Sequence, residues 1–246
     1  MKIANQRRTD MLTLLKVRGE MSIQELADVF KVSTLTIRRD IAQLEKAGVK
    51  RHHGGARFVT APYASHQIQR QLAIAKAAAK RMNDNDIVFI NSSSTALLVL
   101  SQIENTYLTA ITNNGKALSM SIDPRIHLVL CGGDISFPKE ALTGEFAISN
   151  LNKVTATRCI IGIGGLSHSM GLSTQNLAEV AINNTMLSRT LGEKIIVADS
   201  SKINHNSAFS SGELSAIDTL ITDKQADSKF IEILQQMEIN VILVDA

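Results

Sequence analysis

The feature that most constrains the fold is an alternation of short apolar runs with segments of helical length beyond residue 70. The segments suited to helices are 71–82, 95–103, 115–121, 176–191 and 226–237. The apolar runs are 86–90, 107–111, 126–130, 159–163, 194–198, 218–222 and 240–244. Because such runs are typical of strands buried on both faces, the alternation predicts an α/β fold with a mostly parallel sheet covered by helices.

Positive charge is concentrated in the first quarter of the chain. Residues 1–57 contain 12 lysines and arginines against 6 aspartates and glutamates, whereas the remaining 189 residues contain 14 and 17. A basic block joined to a nearly neutral remainder is typical of a nucleic-acid-binding module, although a solvated basic surface has the same composition.

Three helical patterns follow one another in this basic block. The first covers residues 5–18. The second is a short amphipathic helix that begins with the spacing of a capping box, Ser22 and Glu25. The third covers residues 34–47 and is capped by Ser33. This succession of helix, short helix, turn and capped basic helix indicates a helix-turn-helix.

The third helix has an apolar stripe on one side and hydrogen-bond donors on the other. At about 100° per residue, Ile37, Ile41 and Leu44 lie on one face. The opposite face offers the groups that read bases in a major groove. An arginine pair by itself is usually a solvated surface, but its position in a helix-turn-helix favours DNA contact. The predicted contacts are Ser33, Thr34, Leu35, Thr36, Arg38, Arg39 and Gln43.

Residues 49–58 continue with basic side chains, two histidines and a glycine pair. Glycine permits the tight turn of a two-stranded wing. Lys50, Arg51 and Arg57 would then lie close to DNA phosphates, and we include His53 among the predicted DNA contacts. The two histidines have no cysteine or carboxylate partners nearby in the sequence, so we predict no metal site there.

These patterns divide the chain into three segments. Residues 1–57 are predicted to form a winged helix-turn-helix DNA-binding domain. Residues 58–70 contain Pro62 and lack sustained periodicity, which predicts a linker. Residues 71–246 are predicted to form the α/β domain.

Small polar residues follow four of the predicted strands. The loops read NSSST at 91–95, TNN at 112–114, CGGD at 131–134 and ADSSK at 198–202. Because ligands bind beyond the carboxyl ends of parallel strands, these loops favour a polyol or sugar-phosphate site. For NSSST alone, a plain serine cap on a helix is the simpler interpretation. The GIGG at 162–165 lacks the spacing of a dinucleotide fingerprint.

The run ELADVFKVSTLTIRRDIAQLE, followed by HHGGA, resembles the DeoR family of bacterial transcriptional regulators. The resemblance extends over nearly the whole chain. It implies a winged helix-turn-helix joined to a C-terminal domain similar in fold to ribose-phosphate isomerases and glucosamine-phosphate deaminases. It also implies that the C-terminal domain senses a phosphorylated sugar or a related metabolite.

The resemblance and the polar loops together define a predicted effector site, in which the resemblance implies that Lys202 neutralises phosphate charge. Its residues are Ser92, Ser93, Ser94, Thr95, Thr112, Asn113, Gly132, Gly133, Gly144, Gly171, Glu179, Asp199 and Lys202.

Three departures from the family pattern are visible. Ser93 replaces a glycine of the usual phosphate loop, and Asn183 replaces a common lysine. Both changes remove features that help to hold an anion. The segment between Gly48 and His53 is one residue shorter than the common family form.

Two cysteines, Cys131 and Cys159, lack the CxxC spacing and are predicted to be buried structural thiols. No cofactor is predicted. The apolar runs are far shorter than the roughly 18 residues needed to span a bilayer, and the N-terminus lacks the apolar run of a secretory signal. We therefore expect a cytoplasmic protein without a membrane partner.

The expected function is a transcriptional regulator, most simply a repressor of a carbohydrate-metabolism operon. It would bind double-stranded operator DNA as a homo-oligomer, dimer or tetramer, and be released by a phosphorylated sugar. Activation instead of repression stays open. The alternative is a sugar-phosphate isomerase or deaminase with a basic appendage, using Glu179 or Asp199 as base. An RNA-binding regulator is disfavoured by the 4% aromatic content.

Overall fold

Two units divide the chain, Met1–His66 and Gln67–Ala246. The computed structural model describes residues 2–18, 20–45, 48–52, 54–58 and 62–245. Within these residues, no helix combines the length and apolar character needed to cross a membrane.

Up to residue 58, the described residues of the N-terminal unit form three helices and a small antiparallel sheet in the order β1–β3–β2. The three predicted helices and the two wing strands are confirmed. Strand β1 was not predicted, because three residues are too few for a visible alternation. The elements are α1 Lys2–Arg18, β1 Glu20–Ser22, α2 Ile23–Phe30, α3 Thr34–Leu44, β2 Val49–His52 and β3 Gly55–Phe58.

Local hydrogen bonds start the two short helices where the sequence predicts. The Ser22 hydroxyl accepts from the Glu25 N–H at 3.1 Å, and the Glu25 carboxylate accepts from the Ser22 N–H at 2.7 Å, which completes the capping box. The hydroxyl of Ser33 accepts from the N–H of Thr36 at 3.2 Å and caps α3. Side chains from all three helices form the core of this unit, among them Met11, Leu15, Leu26, Ile37 and Ile41.

Helix α4, Pro62–Ala79, corrects the predicted linker over residues 58–70. Residues 62–70 are helical, and residues 59–61 lie outside the described residues. We interpreted Pro62 as a breaker, but proline is favoured in the first turn of a helix, where its missing N–H leaves no hydrogen bond unmade. The helix predicted over 71–82 therefore begins earlier.

The C-terminal unit is built on a seven-stranded sheet in which all neighbouring strands are parallel. Each strand corresponds to one of the seven predicted apolar runs. The order across the sheet is β15–β14–β12–β9–β4–β5–β6. The strands are β4 Ile87–Ile90, β5 Leu108–Thr112, β6 Ile126–Leu130, β9 Ala156–Gly162, β12 Thr190–Val197, β14 Thr219–Asp223 and β15 Asn240–Val244.

Helices cover both faces of this sheet, which confirms the predicted α/β class. Neighbouring residues of one strand alternate between the two cores: Phe89 packs on one side and Val88 and Ile90 on the other. Helices α4 and α5 supply the second core, whereas α6, α7 and α8 supply the first. Their bounds are α5 Ser94–Leu100, α6 Glu145–Asn152, α7 Leu177–Ser188 and α8 Ser228–Gln236.

Several short elements between the main strands were not predicted. One hairpin follows β6, and a second hairpin pairs with a later strand in the order β10–β11–β13. The interval 115–121, predicted as a helix, holds a short 3-10 turn at Gly115–Ser119. The unpredicted strands are β7 Asp134–Ser136, β8 Ala141–Thr143, β10 Gly165–Ser167, β11 Gly171–Thr174 and β13 Phe209–Gly212.

Candidate functional site

Helix α3 presents a polar face to solvent because its apolar stripe is buried. Ile37 and Ile41 are completely buried, whereas Leu35 is 57% exposed. Arg38, Arg39 and Gln43 are also exposed. The arrangement leaves two guanidinium groups, one amide and one apolar side chain free of the protein core.

Two of the predicted DNA contacts, Ser33 and Thr36, shape the start of α3. Ser33 is exposed and Thr34 is half-buried. Thr36 is half-buried, and its hydroxyl lies 2.9 Å from that of Ser33. The hydroxyl pair belongs to the helix cap, so Ser33 and Thr36 have a structural role whether or not they also touch a ligand.

Asp40 is a buried residue of α3 whose structural role the sequence analysis missed. Its carboxylate is buried in α3 and accepts from Arg7 Nε at 2.7 Å and from Arg8 Nε at 2.9 Å, both on α1. A buried carboxylate needs such partners, because an unpaired charge is costly to bury. Asp40 thus fixes α3 against α1. The signal available in the sequence was a single aspartate on the apolar side of an amphipathic helix.

The basic residues of the wing strands differ in their contacts with the rest of the protein. Lys50 and Arg57 are exposed. Arg51 Nη2 donates to the backbone carbonyl of Arg38 at 2.6 Å, and its Nε lies 3.4 Å from the Glu45 carboxylate. Arg51 therefore joins the wing to α3. His53 lies outside the described residues.

In the C-terminal unit, the sheet order reverses between β4 and β9. The chain runs from β4 to β5 and β6 in one direction, and then returns to β9 on the other side of β4. The strand ends separate at such a switch point, and open α/β sheets bind ligands there. Asn91, which follows β4, is buried at this point.

The Asn91 side chain joins the two strands at the switch point. Its amide nitrogen donates to the carbonyl of Gly162 at 2.8 Å and to the Asn183 amide oxygen at 3.0 Å. Its amide oxygen accepts from the N–H of Gly162 at 2.9 Å. Asn183 is itself buried, so the position where the family commonly has lysine is used for an amide pair.

A polar cleft of about 230 Å³ opens at this switch point. Four predicted effector residues line it: Ser93, Ser94, Glu179 and Lys202. The lining residues that sequence reasoning did not assign are Asn91, Lys139, Gly162, Ile163, Gly164, Thr174 and Gln175. Most of the missed residues follow β9 or belong to short hairpins, where the sequence has no strong pattern.

Glu179 is the buried acid of the cleft. One carboxylate oxygen accepts from Lys139 Nζ at 2.6 Å, and the other accepts from the Thr174 hydroxyl at 3.0 Å. Glu179 is 4% exposed, whereas the side chain of Lys139 is 49% exposed. Lys202 follows β12 in a 3-10 turn that Asp199 caps through the N–H of Ser201 at 3.0 Å.

Ser93 stands at the N-cap of α5 with φ −66°, an ordinary backbone conformation. A side chain on Gly162 would overlap with the Ser93 hydroxyl. The serine that replaces the family's glycine is therefore accommodated by a glycine on the neighbouring strand. The remaining predicted residues of this loop, Ser92 and Thr95, are buried and do not line the cleft.

The loop after β5 contains the predicted effector residues Thr112 and Asn113, and it is hydrogen-bonded to the backbone of the β7–β8 hairpin. The amide of Asn113 donates to the Leu142 carbonyl at 3.1 Å, and the Leu142 N–H donates to the Asn113 carbonyl at 2.7 Å. The Thr112 hydroxyl accepts from the N–H of Asn114 at 3.1 Å. Thr112 and Asn113 are completely buried and lie outside the cleft lining.

The predicted glycines serve turns. Gly132, Gly133, Gly144 and Gly171 all have positive φ, which glycine adopts without strain. None of them lines the cleft, and neither does Asp199, which is buried as a cap.

Both cysteines are buried. Burial raises the pKa of Cys131 to about 11 and that of Cys159 to about 12. Both thiols are therefore protonated at neutral pH and poorly reactive.

Family models match both the N-terminal and the C-terminal part of the chain. The DeoR-like helix-turn-helix domain matches residues 7–61, and the DeoR C-terminal sensor domain matches residues 66–224. The HTH-type transcriptional repressor CsqR of Escherichia coli (strain K12) is 28% identical, over 97% of this chain and 95% of that protein. The lactose phosphotransferase system repressor of Streptococcus mutans is 29% identical, over 95% and 98%.

Among solved structures, ribose 5-phosphate isomerase A from Methanocaldococcus jannaschii is similar with a TM-score of 0.39 and 16% identity, covering 54% of this chain and 53% of that chain. The two domain matches together cover most of the sequence, from the arginines that hold Asp40 to the end of β14. The chain belongs to the DeoR family of transcriptional regulators.

Proposed function

We propose that the protein is a DNA-binding repressor of a carbohydrate-metabolism operon that a phosphorylated sugar releases from its operator. The observation that carries the DNA-binding part is the exposed face of α3, opposite a completely buried stripe. Arginine pairs with guanine and glutamine with adenine in a major groove, and an exposed leucine contacts thymine methyl groups.

The cleft at the β4–β9 switch point supports the effector part. Serine hydroxyls, amides and Thr174 suit the hydroxyl groups of a sugar, and Lys202 suits a phosphate. The relatives named above are repressors, one of them of a lactose phosphotransferase system. A phosphorylated sugar fits both the side chains that line the cleft and the name of the lactose phosphotransferase system repressor.

An enzyme that isomerises or deaminates a sugar phosphate is less well supported. Such chemistry needs a carboxylate that is free to remove a carbon-bound proton. Glu179 is held by Lys139 and Thr174, and Asp199 is used as a turn cap. We therefore assign the cleft to ligand sensing, and incubation of the protein with a panel of sugar phosphates should give no turnover.

The direct test is fluorescence anisotropy with the protein's own upstream DNA and a shuffled competitor, with sugar phosphates added singly. Specific binding that one phosphorylated sugar reverses, and that its unphosphorylated form does not, is the expected result. Specific binding that no compound reverses would contradict the effector assignment. Equal affinity for the shuffled sequence would contradict the repressor assignment.

Dimers or tetramers are part of the proposal, because a symmetric pair of recognition helices reads a palindromic site. Sedimentation of the protein with and without operator DNA measures the number of subunits in the oligomer.

A further inference from the structure

We propose that Lys139 is an effector-binding residue that gives the cleft its preference for an anion. The inference rests on the proposed function and identifies a cation supplied by the β7–β8 hairpin. It starts from the ammonium of Lys139, which lies 2.6 Å from a buried carboxylate oxygen of Glu179 and lines the cleft with Lys202.

The charges of the cleft depend on this residue. Its lining contains two cations, Lys139 and Lys202, and one anion, Glu179, while the other lining side chains are uncharged. The formal charge is therefore +1. Without Lys139, the remaining lysine and carboxylate cancel, and the cleft would favour a neutral polyol as much as a phosphate.

The backbone that follows Lys139 is anchored by two hydrogen bonds. The carbonyl of Glu140 accepts from the Gly115 N–H at 2.8 Å, and the Leu142 N–H donates to Asn113 at 2.7 Å. The long side chain is half exposed, so its ammonium is accessible from solvent. The flexible four-carbon stem allows the ammonium to reach a ligand beside Glu179 without refolding of the hairpin.

The ammonium has three donor positions, of which Glu179 accepts one. A phosphate in the cleft would accept from another, so the hydrogen bond to Glu179 is kept. Asn183 cannot supply this charge, since it is neutral, buried and bonded to Asn91.

The test uses inorganic phosphate as the probe and the full-length protein, at constant ionic strength. Phosphate binding is followed by ³¹P line broadening and by the midpoint of thermal unfolding. Lys139→Gln is the main variant, because its amide still donates to Glu179 but has no charge. Lys139→Arg keeps the charge, and Lys229→Gln changes an exposed lysine of α8 that does not line the cleft.

We expect Lys139→Gln to weaken phosphate binding at least about tenfold, which corresponds to ~1.4 kcal/mol. Lys139→Arg should retain most of the affinity, and Lys229→Gln should bind like the wild type. If Lys139→Gln binds phosphate normally while Lys202→Gln does not, Lys139 is not an effector residue and the proposed function stands. If the wild type shows no saturable response to phosphate, both the inference and the anion-sensing function are wrong.

Discussion

At the scale of the residue, single side chains of this protein often hold two elements together. Asp40 joins α3 to α1, Arg51 joins the wing to α3, and Asn91 joins β4 to β9. Residue types predicted such roles poorly, because each depends on a partner more than ten positions away. The second arginine of the pair in α3, Arg39, is different: it is exposed on the face predicted for DNA.

We expect Arg39→Ala to reduce specific operator affinity by about tenfold to a hundredfold, since a good arginine contact with a base is worth ~1–3 kcal/mol. Phosphate dependence of thermal unfolding should stay at the wild-type level, because the cleft is in the other unit. Anisotropy with operator and shuffled DNA measures the change. Arg18→Ala, which removes an exposed arginine at the end of α1, is the matched control. Unchanged operator affinity in Arg39→Ala would exclude this residue from base recognition.

Asp40→Asn should lower the stability of the N-terminal unit by about 3 kcal/mol, because it removes the buried carboxylate that pairs with two guanidinium groups. Hydrogen exchange of backbone amides in α1 and α3 of the full-length protein measures the local effect. Asp28→Asn removes an exposed carboxylate whose partner is the exposed Gln24, and should change little. Wild-type protection of α1 in Asp40→Asn would show that the two arginines do not hold this helix.

At the scale of the element, periodicity predicted the long strands and helices but not the pieces that shape the cleft. All seven strands of the parallel sheet were visible as apolar runs, because helices cover both faces of the sheet. The β7–β8 and β10–β11 hairpins have strands of only three or four residues, which is too short to show an alternation. Lys139 and Thr174 belong to these hairpins, so pattern analysis did not find these two polar side chains of the cleft.

The turn between β6 and β7 offers a matched pair of glycines. Gly132 (φ +74°) and Gly133 (φ +110°) both have positive φ, but a Cβ on Gly132 meets only the Asn150 amide at 3.5 Å. A Cβ on Gly133 would clash with the Thr143 carbonyl and lie 2.9 Å from the Ala147 Cβ. We expect Gly132→Ala to cost about 1–2 kcal/mol in unfolding free energy from its φ alone, and Gly133→Ala to cost clearly more.

Urea unfolding of the two glycine variants provides the measurement. Equal losses of stability would show that space around Gly133 does not limit this turn.

At the scale of the whole molecule, the sequence predicted the fold class and the family correctly, but it did not predict the boundary between the two units. The boundary falls at His66, inside α4. Weak periodicity and a proline hid the start of that helix. Within the C-terminal unit, a polar network joins β9, β12 and β14 to Asp86, the residue before β4. Arg158 Nε donates to Asp86 at 2.8 Å and Nη1 to Glu193 at 2.6 Å, and Thr219 donates to Glu193 at 2.6 Å.

This network predicts a pH dependence of stability. Burial alone would raise the pKa of Glu193, but hydrogen bonds from Arg81 and Thr219 and the charges of Arg81 and Arg158 outweigh it, so the pKa lies below the ordinary value of 4.5. The stabilisation is present above the unfolded pKa and is lost as pH falls through the folded pKa. We expect Glu193→Gln to lower the unfolding free energy at pH 7, with the deficit shrinking toward pH 3.

Chemical unfolding at several pH values checks the expectation, with Glu232→Gln, an exposed residue of α8, as control. A deficit that is independent of pH would mean that shape rather than charge determines the contribution of Glu193.

The ion pairs of Asp40 with Arg7 and Arg8 also limit how strongly the DNA affinity of the N-terminal unit can depend on salt. Arg7 and Arg8 already share a carboxylate, and Arg51 is engaged with Glu45 and a backbone carbonyl. Counterions leave DNA only where a cation replaces them at a phosphate, and the slope of log affinity against log salt counts those replacements. The slope for this protein should therefore be shallower than its 12 N-terminal lysines and arginines suggest. Three of these twelve positive charges are engaged within the protein and stabilise this unit.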